Sequence, residues 1–176
     1  NKHYTTTRNE GRYRYVRKYK DSADTIKEVL TNDTVYQLIN GDKIPLTGKA
    51  QASIRGTLNS INYFFLLPYH LDDDAVIPEY IGKTTINDEP YYKVKVTFRK
   101  VGGGKDHEDI YLYWFHRKKH TMDYLAYQFF VDDGGMRFRV AKNAREKGGI
   151  RFQDYANLKP QSKNVDFMKI DSLYKA

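Results

Sequence analysis

Two hydrophobic rhythms run through the chain, a period of two over most of its length and a helical period in one block. Residues 2–8 and 12–20 flank Asn9, Glu10 and Gly11, and in the second run Tyr13 and Tyr15 alternate with Arg12 and Arg14. That is the pattern of a hairpin with one wet face. Residues 25–30 and 34–39 form the next two runs and lead into Asn40-Gly41, a pair suited to the positive φ angles of a type I′ turn. Between residues 47 and 68 the period changes. Ile54, Leu58, Ile61 and Phe65 recur at spacings of four, three and four, which places them on one helical face. Ser53, Gly56 and Ser60 make a small-residue strip beside it. Thr47 or Gly48 can open this helix and Pro68 closes it, so the spacing predicts a helix over about residues 48–67, pressed into a concave sheet and buried on more than one side.

Strands resume after a linker containing Asp72, Asp73, Asp74 and Pro78. Tyr92, Val94, Val96 and Phe98 face one way, and Lys93, Lys95, Thr97 and Arg99 the other. Residues 110–115 are apolar in both phases, the mark of a central strand covered on both sides, and residues 124–131 are similar. Met136, Phe138 and Val140 alternate with Arg137 and Arg139, and residues 150–155 supply a last long strand. The tail, residues 160–176, is expected to dock loosely, with a short helix within residues 165–174. These signals predict a mainly β fold (α+β): a single curved antiparallel sheet of roughly nine strands, forming a half-open barrel with one major helix in its concave face. The whole of residues 1–176 reads as one domain.

Composition sharpens this picture in three ways. The chain has 176 residues, with 16 Tyr and 9 Phe against 3 Met and 1 Trp, and tyrosine suits half-buried strands because its ring packs while its hydroxyl stays near water. The formal net charge of +8 favours anionic partners such as nucleic acid, phospholipid head groups or acidic glycans. There is no cysteine, which removes disulfides and thiolate metal sites. The longest apolar patch, residues 63–67, is far short of the ~18 residues that a spanning helix requires. The chain opens at Asn1 and not at methionine, which points to a processed or truncated N-terminus.

Candidate chemistry gathers at Asp106, His107, Glu108 and Asp109. On a strand starting near His107, His107 and Asp109 would share a face with Tyr111 and Tyr113, with residues i and i+2 about 6.6–7 Å apart. Such a pair can orient the imidazole as a general base or supply two ligands to a metal. It can equally be a polar strand start whose carboxylates satisfy turn amides. No spacing points to a third ligand. Gly102-Gly103-Gly104 precedes a strand and lacks the Walker pattern, so it reads as a turn. Arg137, Arg139, Lys142, Arg145, Lys147 and Arg151, interleaved with Phe138 and Phe152, could meet single-stranded nucleic acid or an anionic membrane surface. Arg137 and Arg139 lie opposite Phe138 in phase, which disfavours nucleic acid. His116 and His120 bracket a charged hairpin tip, and His3 and His70 are scattered.

The runs GGGKDHEDIYLYWF, MDYLAY, GGMRFR, GGIRFQDY, LLPYHLDDDAV and EPYYKVKVTF resemble an uncharacterised family of secreted or lipid-anchored Bacteroidota proteins, over roughly residues 58–160. The resemblance implies a lipoprotein of the cell envelope, in the periplasm or anchored at the outer membrane. It also implies a fold similar to the half-barrel of outer-membrane lipoprotein carriers, which hold acyl chains between sheet and helix. It carries no catalytic role.

The expectation is therefore a non-enzymatic, monomeric envelope protein that needs no cofactor and binds a lipid or other apolar molecule. Ile54, Leu58, Ile61 and Phe65 would line one side of the cavity, and Tyr92, Val94, Val96, Phe98, Tyr111 and Tyr113 the other. The same residues could instead fill a solid core, leaving a structural or interaction module. The remaining alternative is a hydrolase-like or metal-dependent enzyme centred on His107 and Asp109.

Overall fold

The computed structural model describes residues 1–101, 107–130, 133–162 and 164–174. The glycines at 102–104, Lys105 and Asp106 lie outside the described residues, as do residues 131 and 132 at the end of the run read as residues 124–131. The protein is mainly β, and its described residues form eleven antiparallel strands in two sheets of five and six. A single sheet of roughly nine strands was expected; the chain instead divides into two compact units, residues 1–67 and 68–176.

The first unit is a meander of β1 (Lys2–Asn9), β2 (Arg12–Asp21), β3 (Asp24–Thr31), β4 (Val35–Ile39) and β5 (Asp42–Ile44). The Asn40-Gly41 pair has positive φ at both residues and joins Ile39 directly to Asp42 in register, as a type I′ turn requires. Helix α1 (Gly48–Leu66) follows, with the Thr47 side chain accepting from the Ala50 amide at 3.2 Å. Its C-cap Leu67 is extended, the conformation that a following proline imposes.

Ile54 and Leu58 on α1 pack with Tyr15, Leu30 and Val35. Leu58 and Leu30 are fully buried, and each contributes about 1.5–3 kcal/mol relative to exposure. The polar residue on this stripe is accounted for: Asn62 is buried, donates to the Leu58 carbonyl at 2.7 Å and accepts from Thr6 of β1. The C-terminal turn of α1 departs from expectation, because Phe65 is 50% exposed.

The second unit contains β6 (Val76–Ile86), β7 (Glu89–Phe98), β8 (Ile110–His116), β9 (Met122–Phe129), β10 (Gly135–Lys147) and β11 (Ile150–Leu158), paired in that order. A bulge at Tyr80/Gly82, where Gly82 has φ of 130°, bends the edge strand β6. β8 lies inside the sheet, and Tyr111, Leu112, Tyr113 and Trp114 are all buried. One face of this sheet presents Ile86, Tyr91, Leu112, Trp114, Tyr124 and Phe138.

A 3-10 segment, Phe167–Leu173, closes that face with Phe167 and Ile170. Far from docking loosely, it is held by a buried polar lock. Asp171 accepts from Lys93 at 2.7 Å, from the Trp114 indole at 3.2 Å and from Thr84 at 3.2 Å. The Lys93 ammonium also lies 5.1 Å from the centre of a Trp114 ring.

Candidate aromatic and arginine face

The opposite face of the six-stranded sheet collects the strand residues proposed from the sequence. Register sets them in transverse rows. One row runs Val96, Tyr111, Tyr127, Arg137 across β7, β8, β9 and β10. The next runs Val94, Tyr113, Leu125, Arg139 across the same strands. Tyr92 and Phe98 share the face by the two-residue period of β7. Each row thus begins at an aliphatic side chain, crosses tyrosine or leucine, and ends at a guanidinium.

Rings connect the rows. Phe98 meets Tyr111 edge-on at 5.5 Å, and Tyr111 stacks on Tyr127 at 5.5 Å and on Tyr113 at 6.1 Å. Tyr127 leads on to Phe129 at 6.1 Å. Val96 and Tyr113 are fully enclosed, whereas Phe98, Tyr127, Phe129, Arg137 and Arg139 are half-buried. The face is therefore closed at its centre and more open toward the end where β9 turns into β10.

Both arginines lie over rings of the neighbouring strand. The Arg139 guanidinium carbon is 5.3 Å from the centre of the Tyr127 ring, and its Nη2 donates to the Tyr127 hydroxyl at 3.2 Å. The Arg137 guanidinium carbon is 5.4 Å from the centre of Phe129, and its Nη1 donates to the Met136 carbonyl at 2.8 Å. Among the described residues, no carboxylate pairs with Arg137 at ion-pair distance.

The two glycines of the GGMRFR run make this arrangement possible. Gly134 has φ of 65°, a conformation that favours glycine. A Cβ on Gly135 would fall 2.8 Å from the Phe129 ring and 3.5 Å from Arg137 Nη1. The ring thus occupies the volume that any other residue at 135 would fill, and the guanidinium lies at ordinary contact distance beside it. The spacing of Arg137 and Arg139 is legible in the sequence. The rings beneath them, Tyr127 and Phe129, were missed because cation and ring come from different strands.

The other proposed positions fall elsewhere. Ile54 and Leu58 are packed into the core of the first unit, Ile61 is half-buried and Phe65 half-exposed. His107 and Glu108 lie in a turn, and β8 begins only at Ile110, so the strand geometry that would align His107 with Asp109 is not formed. His107 is half-buried, Glu108 exposed and Asp109 buried. Among the described residues no three His, Asp or Glu side chains gather closely enough to hold a metal ion.

His116, read as part of a charged tip, is instead buried. Its Nδ1 accepts the Lys118 and Lys119 amides at 3.1 Å each, and its Nε2 meets Glu89 at 3.0 Å. It locks a hairpin. Hydrogen bonding from His116 holds the Glu89 carboxyl below its usual range. A shallow surface depression of about 270 Å³ near Arg12 and Asn32 in the first unit is crossed by turn hydrogen bonds from Asn32 to Gly11 and from Tyr13 to Asn32.

Residues 25–176 match the model of a family of unknown function, DUF6503. The chain belongs to DUF6503. No curated protein matches it in sequence. The match covers all of the six-stranded sheet and, apart from the first two strands and Asp24 at the start of β3, all of the five-stranded one, so the aromatic and arginine face lies wholly within the DUF6503 region.

Proposed function

We propose that this DUF6503 protein is a non-enzymatic, monomeric protein of the cell envelope that binds a lipid or other apolar molecule against the aromatic face of its six-stranded sheet. The observation that carries the reading is the pair of transverse rows. Val96, Tyr111 and Tyr127, and Val94, Tyr113 and Leu125, form contiguous apolar and aromatic rows across three strands, buried at Val96, Tyr111, Tyr113 and Leu125 and half-buried at Val94 and Tyr127, and an apolar and aromatic lining is what an apolar ligand requires. Half-buried Phe129, at the end of β9, marks the side from which the ligand would enter.

The envelope setting, the Bacteroidota lipoprotein origin and the half-barrel likeness to lipoprotein carriers rest on the sequence resemblance. The strand-rich fold and the membership of DUF6503 are compatible with it. A net charge of +8 adds attraction to an anionic membrane surface.

Purification from an envelope-expressing host, native mass spectrometry and solvent extraction test the reading. The expected result is a discrete adduct that extracts as an apolar molecule, together with enhanced fluorescence of the neutral probe N-phenylnaphthylamine. A bare mass combined with no probe response would overturn it.

A further inference from the structure

Resting on the membrane attraction in that reading, and not on its apolar ligand, we infer that the five-stranded sheet docks on an anionic lipid surface through the face opposite α1. Register assigns each strand residue to one of two faces. One face carries Tyr15, Leu30 and Val35 against Ile54 and Leu58 of the helix. The strand carboxylates of this sheet, Asp21, Asp24, Glu28 and Asp42, share that phase. The other phase contains six basic side chains, Arg12, Arg14, Lys18, Lys20, Lys27 and Lys43, and among the described residues no strand carboxylate.

The basic side chains meet across the strands. One transverse row runs His3, Lys18, Lys27, Leu38, Lys43 from β1 to β5. Lys18 thus lies directly opposite Lys27, and like charges so placed destabilise a sheet. Lys18, Lys20, Lys43, Arg14 and His3 are exposed, and Lys27 is half-buried. Arg12 reaches Asp33 at 3.7 Å, with both side chains exposed. Among the described residues, no carboxylate lies at ion-pair distance from Arg14, Lys18, Lys20, Lys27 or Lys43. Val16 and Val29, in the next row, are buried, so every exposed side chain of this face is basic or otherwise polar.

The chemistry of the face selects the partner. Lysines engage lipid head groups as point charges without a fixed geometry, and several together hold a protein at an anionic membrane. A surface of lipid phosphates also supplies many anions at once, which relieves a row of like charges. Single-stranded nucleic acid needs aromatic faces on which bases stack. On this face Tyr36 is the one tyrosine, phenylalanine or tryptophan; it is half-buried, and the Lys43 ammonium lies 5.3 Å from its ring centre.

Cosedimentation with vesicles tests the assignment, one set of phosphatidylcholine alone and one an equal mixture with phosphatidylglycerol. The protein should bind the anionic vesicles and not the neutral ones, and salt should weaken that binding. Lys18→Gln, Lys27→Gln and Lys43→Gln combined should lower affinity for the anionic vesicles about tenfold or more. The melting temperature of this variant should hold or rise, because repulsion is relieved; a fall would make the lysines part of the fold and overturn the reading. Lys142→Gln, Lys147→Gln and Lys159→Gln combined removes the same charge from exposed positions of the other unit and should lower affinity less than about threefold. Equal losses from the two variants, or equal binding to both vesicle sets, would overturn the face as the docking site. Binding of oligothymidylate without binding to anionic vesicles would overturn the membrane in favour of nucleic acid, and binding to neither would overturn the inference outright. The apolar adduct is read separately by mass, so failure here and failure of the ligand reading are distinguishable.

Discussion

The two faces of the six-stranded sheet use the same contact to opposite ends. On one face Lys93 lies over Trp114, and on the other Arg137 lies over Phe129, at 5.1 and 5.4 Å from the ring centres. The first cation is closed off. Asp171, itself 8% exposed, reaches in from the C-terminal 3-10 segment and binds ammonium, indole and hydroxyl together. The second cation meets a ring and a backbone carbonyl, and among the described residues no carboxylate pairs with it. A cation on an aromatic surface is thus neither structural nor functional by itself. What decides is whether the chain supplies the matching anion, and burial makes that choice costly to reverse.

Removing the anion from the closed face should produce the largest effect. Asp171→Ala leaves the Lys93 ammonium, whose side chain is 11% exposed, without its carboxylate and the Trp114 N–H without its acceptor. Breaking a buried pair in this way costs about 3–5 kcal/mol. The 3-10 segment should detach as a consequence, exposing Phe167 and Ile170. Urea unfolding gives the first quantity, and hydrogen exchange across residues 167–173 gives the second. Unchanged protection in that segment would show that apolar packing alone holds it.

An intermediate effect follows from tyrosines on the same closed face. Burial, then the neighbouring Tyr124 and Asp123, raises the Tyr91 phenol well above its ordinary value, and burial raises Tyr124 in the same direction. A group whose folded pKa lies above its unfolded value stabilises the fold fully below the unfolded pKa. That stabilisation is lost as pH rises toward the folded value. The free phenol titrates near about 10, so melting temperature should hold steady to that point and then fall. Tyr91→Phe should flatten the alkaline limb. An unaltered limb would place the titration on other tyrosines.

Much of the closed and open faces could be read from alternation, and the limits of that reading are instructive. Tyr92, Val94, Val96 and Phe98 share a face because a strand repeats every two residues, and the helical face of Ile54 and Leu58 follows from its own period. Neither period reports which strand lies alongside. The rows that end at Arg137 and Arg139 depend on register between β9 and β10, and the Lys93–Asp171 pair joins residues 78 apart in sequence. The strands that escaped notice have local reasons. β5 has three residues, and β6 carries Pro78 and a bulge at Gly82, both features of an edge. The separation into two sheets was hidden because α1 joins β5 to β6 without pairing them, and no composition marks the point where a ladder stops.

The open face should respond least to losing its charge, and that small effect is the sharpest check on the contrast. Arg137→Gln removes a ring contact worth roughly 0.5–1 kcal/mol at a half-buried position and, among the described residues, strands no carboxylate. Arg17→Gln, at another closed pair, leaves Glu28 buried at 3% exposure with Tyr19 and Gln37 as its donors among the described residues, at 3.3 Å each. That loss should approach about 3 kcal/mol. Denaturant midpoints of the two variants, measured together, should therefore differ severalfold in their displacement from the parent protein. Equal displacement would mean that Arg137 is as firmly built into the fold as Arg17. The cation over Phe129 would then be a structural element of the sheet, whether or not a carboxylate answers it.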